Sequence, residues 1–280
     1  MARFRSRKTF KLVAHLREVS RPCIPPWKRQ ELGLSRDVHD HWATLHRHCA
    51  DESSQLRLGR LIHRLNHRDY GVRESALAEL ELATQLIRVG TRVLFLPESQ
   101  ARTADLECHV GRERFFAEVT AMVGSAGRRR LPLRGLLADS EGEDEGGGLM
   151  LVHRVVARIQ QKAKQLVDYC EPVVLSISIP RSDLRGERAA KPHDIWLDLK
   201  ALSGSVTLQL MKLKHVSAVL IALWDVKPLP SKAGTRLANV EAVERAGHQR
   251  GYPRVRLWIR NPAAVRPLTE RQSDAFLQIL

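Results

Sequence analysis

Glu74-Ser-Ala-Leu-Ala-Glu79-Leu-Glu-Leu-Ala-Thr-Gln-Leu-Ile-Arg-Val-Gly90, followed by Arg102-Thr-Ala-Asp105-Leu-Glu107 and Phe115-Phe-Ala-Glu118-Val-Thr120, forms the stretch whose reading decides the fold. Ala76, Leu77, Leu80, Ala83, Leu86 and Ile87 recur at intervals of three and four. That spacing predicts an amphipathic helix over 76–87, closed by Gly90 just past its end. Val93-Leu-Phe-Leu96 is a short apolar run that Pro97 ends, since proline cannot donate to a central ladder. Leu106, Cys108 and Val110 alternate with polar neighbours, and the run from Phe115 to Val119 can pair with them across a turn at Gly111. The expectation is a hairpin.

In such a hairpin Asp105 opens one strand and Glu118 closes the next, thirteen residues later. Antiparallel neighbours run back on each other, so the two carboxylates meet at one edge of the sheet. Close carboxylates repel, and the usual remedies are a shared proton or a divalent cation. Oxygen-only ligation favours magnesium, which needs only one or two protein carboxylates. Glu81 and Glu107 are read as pointing away from Glu79 and Asp105, on solvated faces. A plainer reading of the pair is that acids near strand ends are common.

The stretch resembles the PD-(D/E)xK nuclease superfamily, whose fold is restriction-endonuclease-like. In that superfamily a helix glutamate, an Asp at a strand start and an Asp/Glu-x-Lys on the next strand surround one or two magnesium ions. The resemblance, which covers roughly residues 73 to 180, assigns Glu79, Asp105 and Glu118 to those three acids. It implies that Asp105 and Glu118 hold magnesium, or manganese in its place, and that Glu79 binds a second ion or its waters. Two departures stand out. Thr103-Ala-Asp105 lacks the proline that often precedes the first strand acid, and Thr120 stands where the family has its lysine. A hydroxyl brings no positive charge to orient a water. Some members resemble this chain in taking the lysine from a later helix, for which Arg158-Ile-Gln-Gln-Lys162-Ala-Lys164 offers Lys162 first and Lys164 second.

Val152, Val155, Val156, Ile159, Ala163, Leu166 and Val167 mark that helix, read as running to Tyr169. Lys162 and Gln160 flank its apolar stripe on opposite sides, each roughly 80° from the centre. A boundary lysine lying over apolar surface is the competing reading for Lys162. Pro172-Val-Val-Leu-Ser-Ile-Ser-Ile179 then reads as a buried strand, as does Val216 to Trp224. Ile195 to Leu202 reads as a helix, while 206–213 is ambiguous. Arg254, Arg256 and Arg260 alternate with apolar residues, predicting a row of arginines on one strand face that either contacts phosphates or guards an edge. Asp225 is a further candidate acid or a turn residue. Thr269 is expected to cap a final helix.

The 280 residues carry 46 Lys and Arg against 31 Asp and Glu, a net charge of +15. Such an excess points to a polyanion, nucleic acid first. Residues 1–72 hold 15 basic and 7 acidic residues, a net +8. They are expected to form a basic, mainly helical N-terminal region. Within it Leu58, Leu61, Ile62 and Leu65 make a stripe that docks on the remainder. His63 and His67 are spaced as an i, i+4 pair that could grip zinc, although a solvated or packed helix explains them more simply. Residues 73–280 are expected to form the restriction-endonuclease-like α/β domain, a mixed central sheet flanked by helices. A flexible acidic and glycine-rich loop is expected at about 124–148. Arg128, Arg129 and Arg130 beside that loop, with Lys164, are the candidate nucleic-acid contacts.

Cys23, Cys49, Cys108 and Cys170 have no paired spacing and read as reduced packing residues. No segment approaches the ~18 apolar residues of a membrane span, and the N-terminus lacks the apolar core of a signal peptide. The expected compartment is therefore the cytoplasm. Three functions follow as expectations. The first is a magnesium-dependent nuclease, DNA before RNA. The second is an inactive nuclease-fold protein that binds nucleic acid or a partner. The third is a module whose basic N-terminal region engages an acidic protein.

Overall fold

The computed structural model of the chain describes residues 36–97, 103–122, 145–179, 195–224, 226–229, 237–246 and 252–280. Arg128 to Arg130, Asp225, Cys23 and residues 124–144 of the expected loop lie outside these residues. Helices α1 (Arg36–His48) and α2 (Glu52–Leu65) come first, and Asp51 caps α2 by accepting from the Ser54 N–H at 2.8 Å. Helix α3 (Tyr70–Arg88) starts six residues before its apolar periodicity, because Asp69 accepts from the Gly71 and Val72 N–H groups. It ends as predicted. Gly90, at φ +85°, lets its own N–H reach the Ile87 carbonyl and the Thr91 N–H reach that of Leu86.

Strands β1 (Arg92–Phe95), β2 (Leu106–Val110) and β3 (Glu113–Ala121) form an antiparallel meander. Gly111, at φ +63°, makes the turn of the predicted hairpin. Helix α4 (Glu145–Ala163) then crosses over to β4 (Val173–Ile179), which lies parallel to β3. After β5 (Ile195–Leu197) and α5 (Leu199–Lys212), strand β6 (Ala218–Leu223) adds parallel to β4. A short β7 (Val226–Pro228) pairs with β5, and β8 (Val240–Glu244), β9 (Val255–Arg260) and α6 (Glu270–Gln278) complete the order. The result is an α/β architecture with a mixed seven-stranded sheet, ordered β1-β2-β3-β4-β6-β9-β8.

Alternation along the strands divides the core in two. Leu106, Phe115, Ala117, Val119, Leu220 and Trp258 face α1, α2, α3 and α6. Leu175, Ile177, Val219, Ile221, Leu257 and Ile259 face α4 and α5. Burial on both faces explains the unbroken apolar runs of β4 and β6. The stripe of α2 docks as expected, with Leu58, Leu61 and Ile62 in the same cluster as Leu80 and Phe95. Edge strand β1 is covered from that side. Ser54 Oγ accepts from the Phe95 N–H at 2.9 Å, occupying a donor that would otherwise invite another strand.

Several expectations need correction. Ile195 to Leu202 is not one helix, because Asp198 accepts from the Lys200 and Ala201 N–H groups and so starts α5 after a short strand. The ambiguous 206–213 segment belongs to that helix as far as Lys212. Helix α4 begins at Glu145, inside the expected loop, since buried Leu151 extends its apolar stripe. It stops at Ala163 rather than at Tyr169. Strand β9 lies inside the sheet, and Arg256 is buried rather than part of an exposed arginine row. Cys49 and Cys108 pack in the core, whereas Cys170 is exposed. Thr269 does cap α6, in a reciprocal arrangement with Gln272. Among the described residues no helix is long and apolar enough to cross a membrane.

Leu61 is fully buried where α2 meets the sheet side of the core. Leu61→Ala should lower unfolding free energy by about 2–5 kcal/mol in urea denaturation. A loss below about 1 kcal/mol would show that α2 is not part of the cooperative core.

Candidate active site

Three of the elements just described bring the predicted acids together. Leu106 pairs with Ala117, so the register puts Asp105 beside Glu118. The Asp105 N–H donates to the Ala117 carbonyl at 3.1 Å, and its Oδ2 accepts from the Val119 N–H at 2.8 Å. These two bonds fix the carboxylate against β3. Just upstream, the Ala104 N–H donates to the Tyr169 hydroxyl at 2.6 Å, and the Tyr169 ring lies against Phe116 with centroids 4.5 Å apart.

Glu118 is 3 % exposed and turns toward the α4 side of the sheet. There Lys162, in the last turn of α4, donates to Glu118 Oε1 at 2.6 Å and to Gln165 Oε1 at 3.3 Å. Thr120 shares the face of Glu118, two residues along β3, and is buried with only a 3.5 Å contact to the Ala121 carbonyl. An ammonium thus reaches Glu118 from a helix, at the first of the two candidate lysines. Lys164 lies past the end of α4, exposed to solvent. Gln160, on the opposite flank of the helix, bonds to Gln209 of α5 at 2.9 Å.

Glu79 comes from α3 and is 2 % exposed. Its partners were not foreseen. Arg57 Nη2 donates to Glu79 Oε2 and to Asp105 Oδ1, both at 2.9 Å, and Arg64 Nη1 donates to Glu79 Oε1 at 2.7 Å. Both arginines belong to α2, in the region expected to be a basic N-terminal portion. A signal was present in the sequence. Arg57 precedes Leu61 by four residues and Arg64 follows it by three, which places both beside the apolar stripe, where a cation needs an acid.

Three acids and three cations therefore form one cluster. Burial, and next the negative charge of Asp105, push the Glu79 carboxyl up from 4.5 to about 7, against the pull of Arg57 and Arg64. The same two causes raise Glu118 to about 7, against the pull of Lys162. Glu118 Oε2 is buried without a hydrogen-bond partner among the described residues. That oxygen and the adjoining Asp105 fit a hard divalent cation, which uses few protein ligands. Glu79 and Asp105 are alike in that each of their oxygens already accepts one hydrogen bond, so either would meet an ion only through a remaining lone pair.

Among the described residues no group of three or more His, Cys, Asp or Glu side chains is placed to hold a metal ion. The His63 and His67 pair fails at the level of the fold, since α2 ends at Leu65 and the His67 Nδ1 accepts from the Asp69 N–H. Glu107 also departs from expectation. Strand periodicity puts residues 105 and 107 on one face, and Glu107 is taken up by His109 at 2.9 Å and Arg114 at 3.6 Å. No family model matches this chain, and neither a curated protein nor a solved structure does.

Between pH 4.5 and about 7 the folded chain keeps protons on Glu79 and Glu118 that the unfolded chain has released. Their contribution to stability therefore falls as pH rises through that window and levels off above it. Urea unfolding at about pH 5 and about pH 7.5 should show a larger drop for wild type than for Glu118→Gln, whose amide does not titrate. Equal drops would place the titration of Glu118 elsewhere.

Proposed function

We propose that the chain is a metal-dependent nuclease that hydrolyses phosphodiester bonds of nucleic acid, DNA before RNA, on a restriction-endonuclease-like core. The observation that carries this reading is the 2.6 Å contact between Lys162 and Glu118, by which a helix lysine would take the place of the missing motif lysine. The succession of hairpin, α4 and β4 in a mixed sheet suits it as well. The basic excess of the chain suits a polyanionic substrate.

Asp105 and Glu118 would hold magnesium or manganese, which when bound neutralises charge on the scissile phosphate and acidifies a coordinated water. Lys162 keeps one donor beyond those given to Glu118 and Gln165, and with it would orient the attacking water beside the carboxylates. Arg57 and the Val119 N–H hold Asp105 in place from opposite sides. Glu79 holds Arg57 against Asp105 in this reading, and it would reach a second ion or its waters only through its remaining lone pairs. Arg128, Arg129, Arg130 and Lys164 remain the proposed phosphate contacts along the bound strand.

The second reading, an inactive nuclease-fold protein that binds nucleic acid or a partner, is favoured by one observation. Each of Glu79, Asp105 and Glu118 already contacts a basic side chain, so the cluster is balanced without a metal.

Plasmid and single-stranded DNA incubated with magnesium or manganese separate the two. Wild type should cut, and Asp105→Ala and Glu118→Ala should each lose at least about 10³-fold in rate. Lys162→Ala should lose about 10²-fold, with partial recovery in Lys162→Ala/Thr120→Lys. Absence of cleavage together with salt-sensitive DNA retention would end the enzyme reading in favour of the binding scaffold.

A further inference from the structure

A second group of charges lies apart from the carboxylate cluster. Asp40 and His41 of α1, the C-terminal end of α3, strand β9 and the end of α6 enclose a cleft of about 340 Å³ that opens to solvent. Arg88, Arg245 and Arg256 line it with Gln85, Gln278 and Tyr252. None of Glu79, Asp105, Glu118 and Lys162 contributes to its walls.

Arg256 is the unusual member. It is 4 % exposed, its Nη1 donates to the Ile279 carbonyl, and its Nε is buried without a hydrogen-bond partner. Arg245 donates to the backbone oxygens of Pro253 and Leu280 and lies 5.1 Å from the centroid of the Tyr252 ring. Burial and the neighbouring Arg245 push Arg256 down to about 10, while Glu81 and Tyr252 oppose that shift. Asp40 is the single acidic side chain among the lining residues; it is half exposed and contacts His39 at 3.4 Å.

A buried guanidinium whose Nε lacks a partner is costly, and a second one beside it adds repulsion. An anion removes both penalties. The planar guanidinium fork matches phosphate and carboxylate alike, but charge separates them. Three arginines outnumber the acidic side chains beside them, Asp40 in the lining and Glu81 acting on Arg256, and that excess of positive charge suits a doubly charged anion. The cleft has the size of a small ligand site and exceeds what a bare phosphate fills.

We propose that this cleft binds a phosphate monoester, held by Arg88, Arg245 and Arg256 with its attached group against Tyr252. The phosphate comes either from a free mononucleotide or from the 5′ end of a nucleic acid strand. The site shares no residue with the proposed nuclease centre, so each can fail without the other.

The test is titration calorimetry of the full chain with inorganic phosphate and with adenosine 5′-monophosphate in metal-free buffer. Saturable binding is expected, weakened by about tenfold or more in Arg88→Ala and in Arg245→Ala as charge-assisted hydrogen bonds are lost. Arg256→Met should abolish it, and if that variant does not fold, the two rim arginines decide the matter. Anisotropy of a labelled oligonucleotide, 5′-phosphorylated or 5′-hydroxyl, identifies the source. Preference for the phosphorylated strand that disappears in Arg245→Ala assigns the strand end, whereas no preference alongside nucleotide binding assigns the free ligand. Absence of binding by both small probes, or binding unchanged in Arg88→Ala and Arg245→Ala, overturns the proposal.

Discussion

One guanidinium ties the molecule together. Arg57 is 4 % exposed and donates to Glu79 on α3 and to Asp105 at the start of β2. Taking a carboxylate out of water costs several kcal/mol unless a well-placed cation answers it. The position of α2 is therefore constrained twice, by Leu58, Leu61 and Ile62 in the core and by its arginines at the acids. Helix α4 meets the equivalent demand on the other face, where Lys162 answers Glu118. The sheet edge between them is where both demands coincide.

Much of the fold is legible in the sequence because it rests on local chemistry. The stripe from Ala76 to Ile87, the glycines at 90 and 111 and the alternation from Leu106 to Val119 each specify an element with little tertiary context. The failures are also physical. Asp198 reads as one polar residue in an apolar run until its side chain is seen capping α5. The arginines of β9 look like an exposed row only if that strand is an edge, and the position of β8 is a long-range fact that no local pattern encodes.

The site divides in the same way. Asp105, Glu118 and Lys162 were accessible because hairpin register and helix phase place them, and both follow from residues near them in sequence. Arg57 and Arg64 were not paired with Glu79, since the match depends on how two helices cross. The carboxylates could be read alone as a metal site, whereas the folded arrangement gives each a resident cation. That difference is why the functional reading includes a competitor with no chemistry.

The parallel pairing of β3 and β4 has a consequence for how the site comes into being. Lys162 and Glu118 stand 44 residues apart, and Arg57 and Asp105 stand 48 apart. Neither contact can form until a long segment has closed, one through the crossover helix and one through docking of α2. The hairpin holding Asp105 and Glu118 is local and can form sooner. The cations join only as the layers assemble, which makes an intact charge cluster a signature of completed folding.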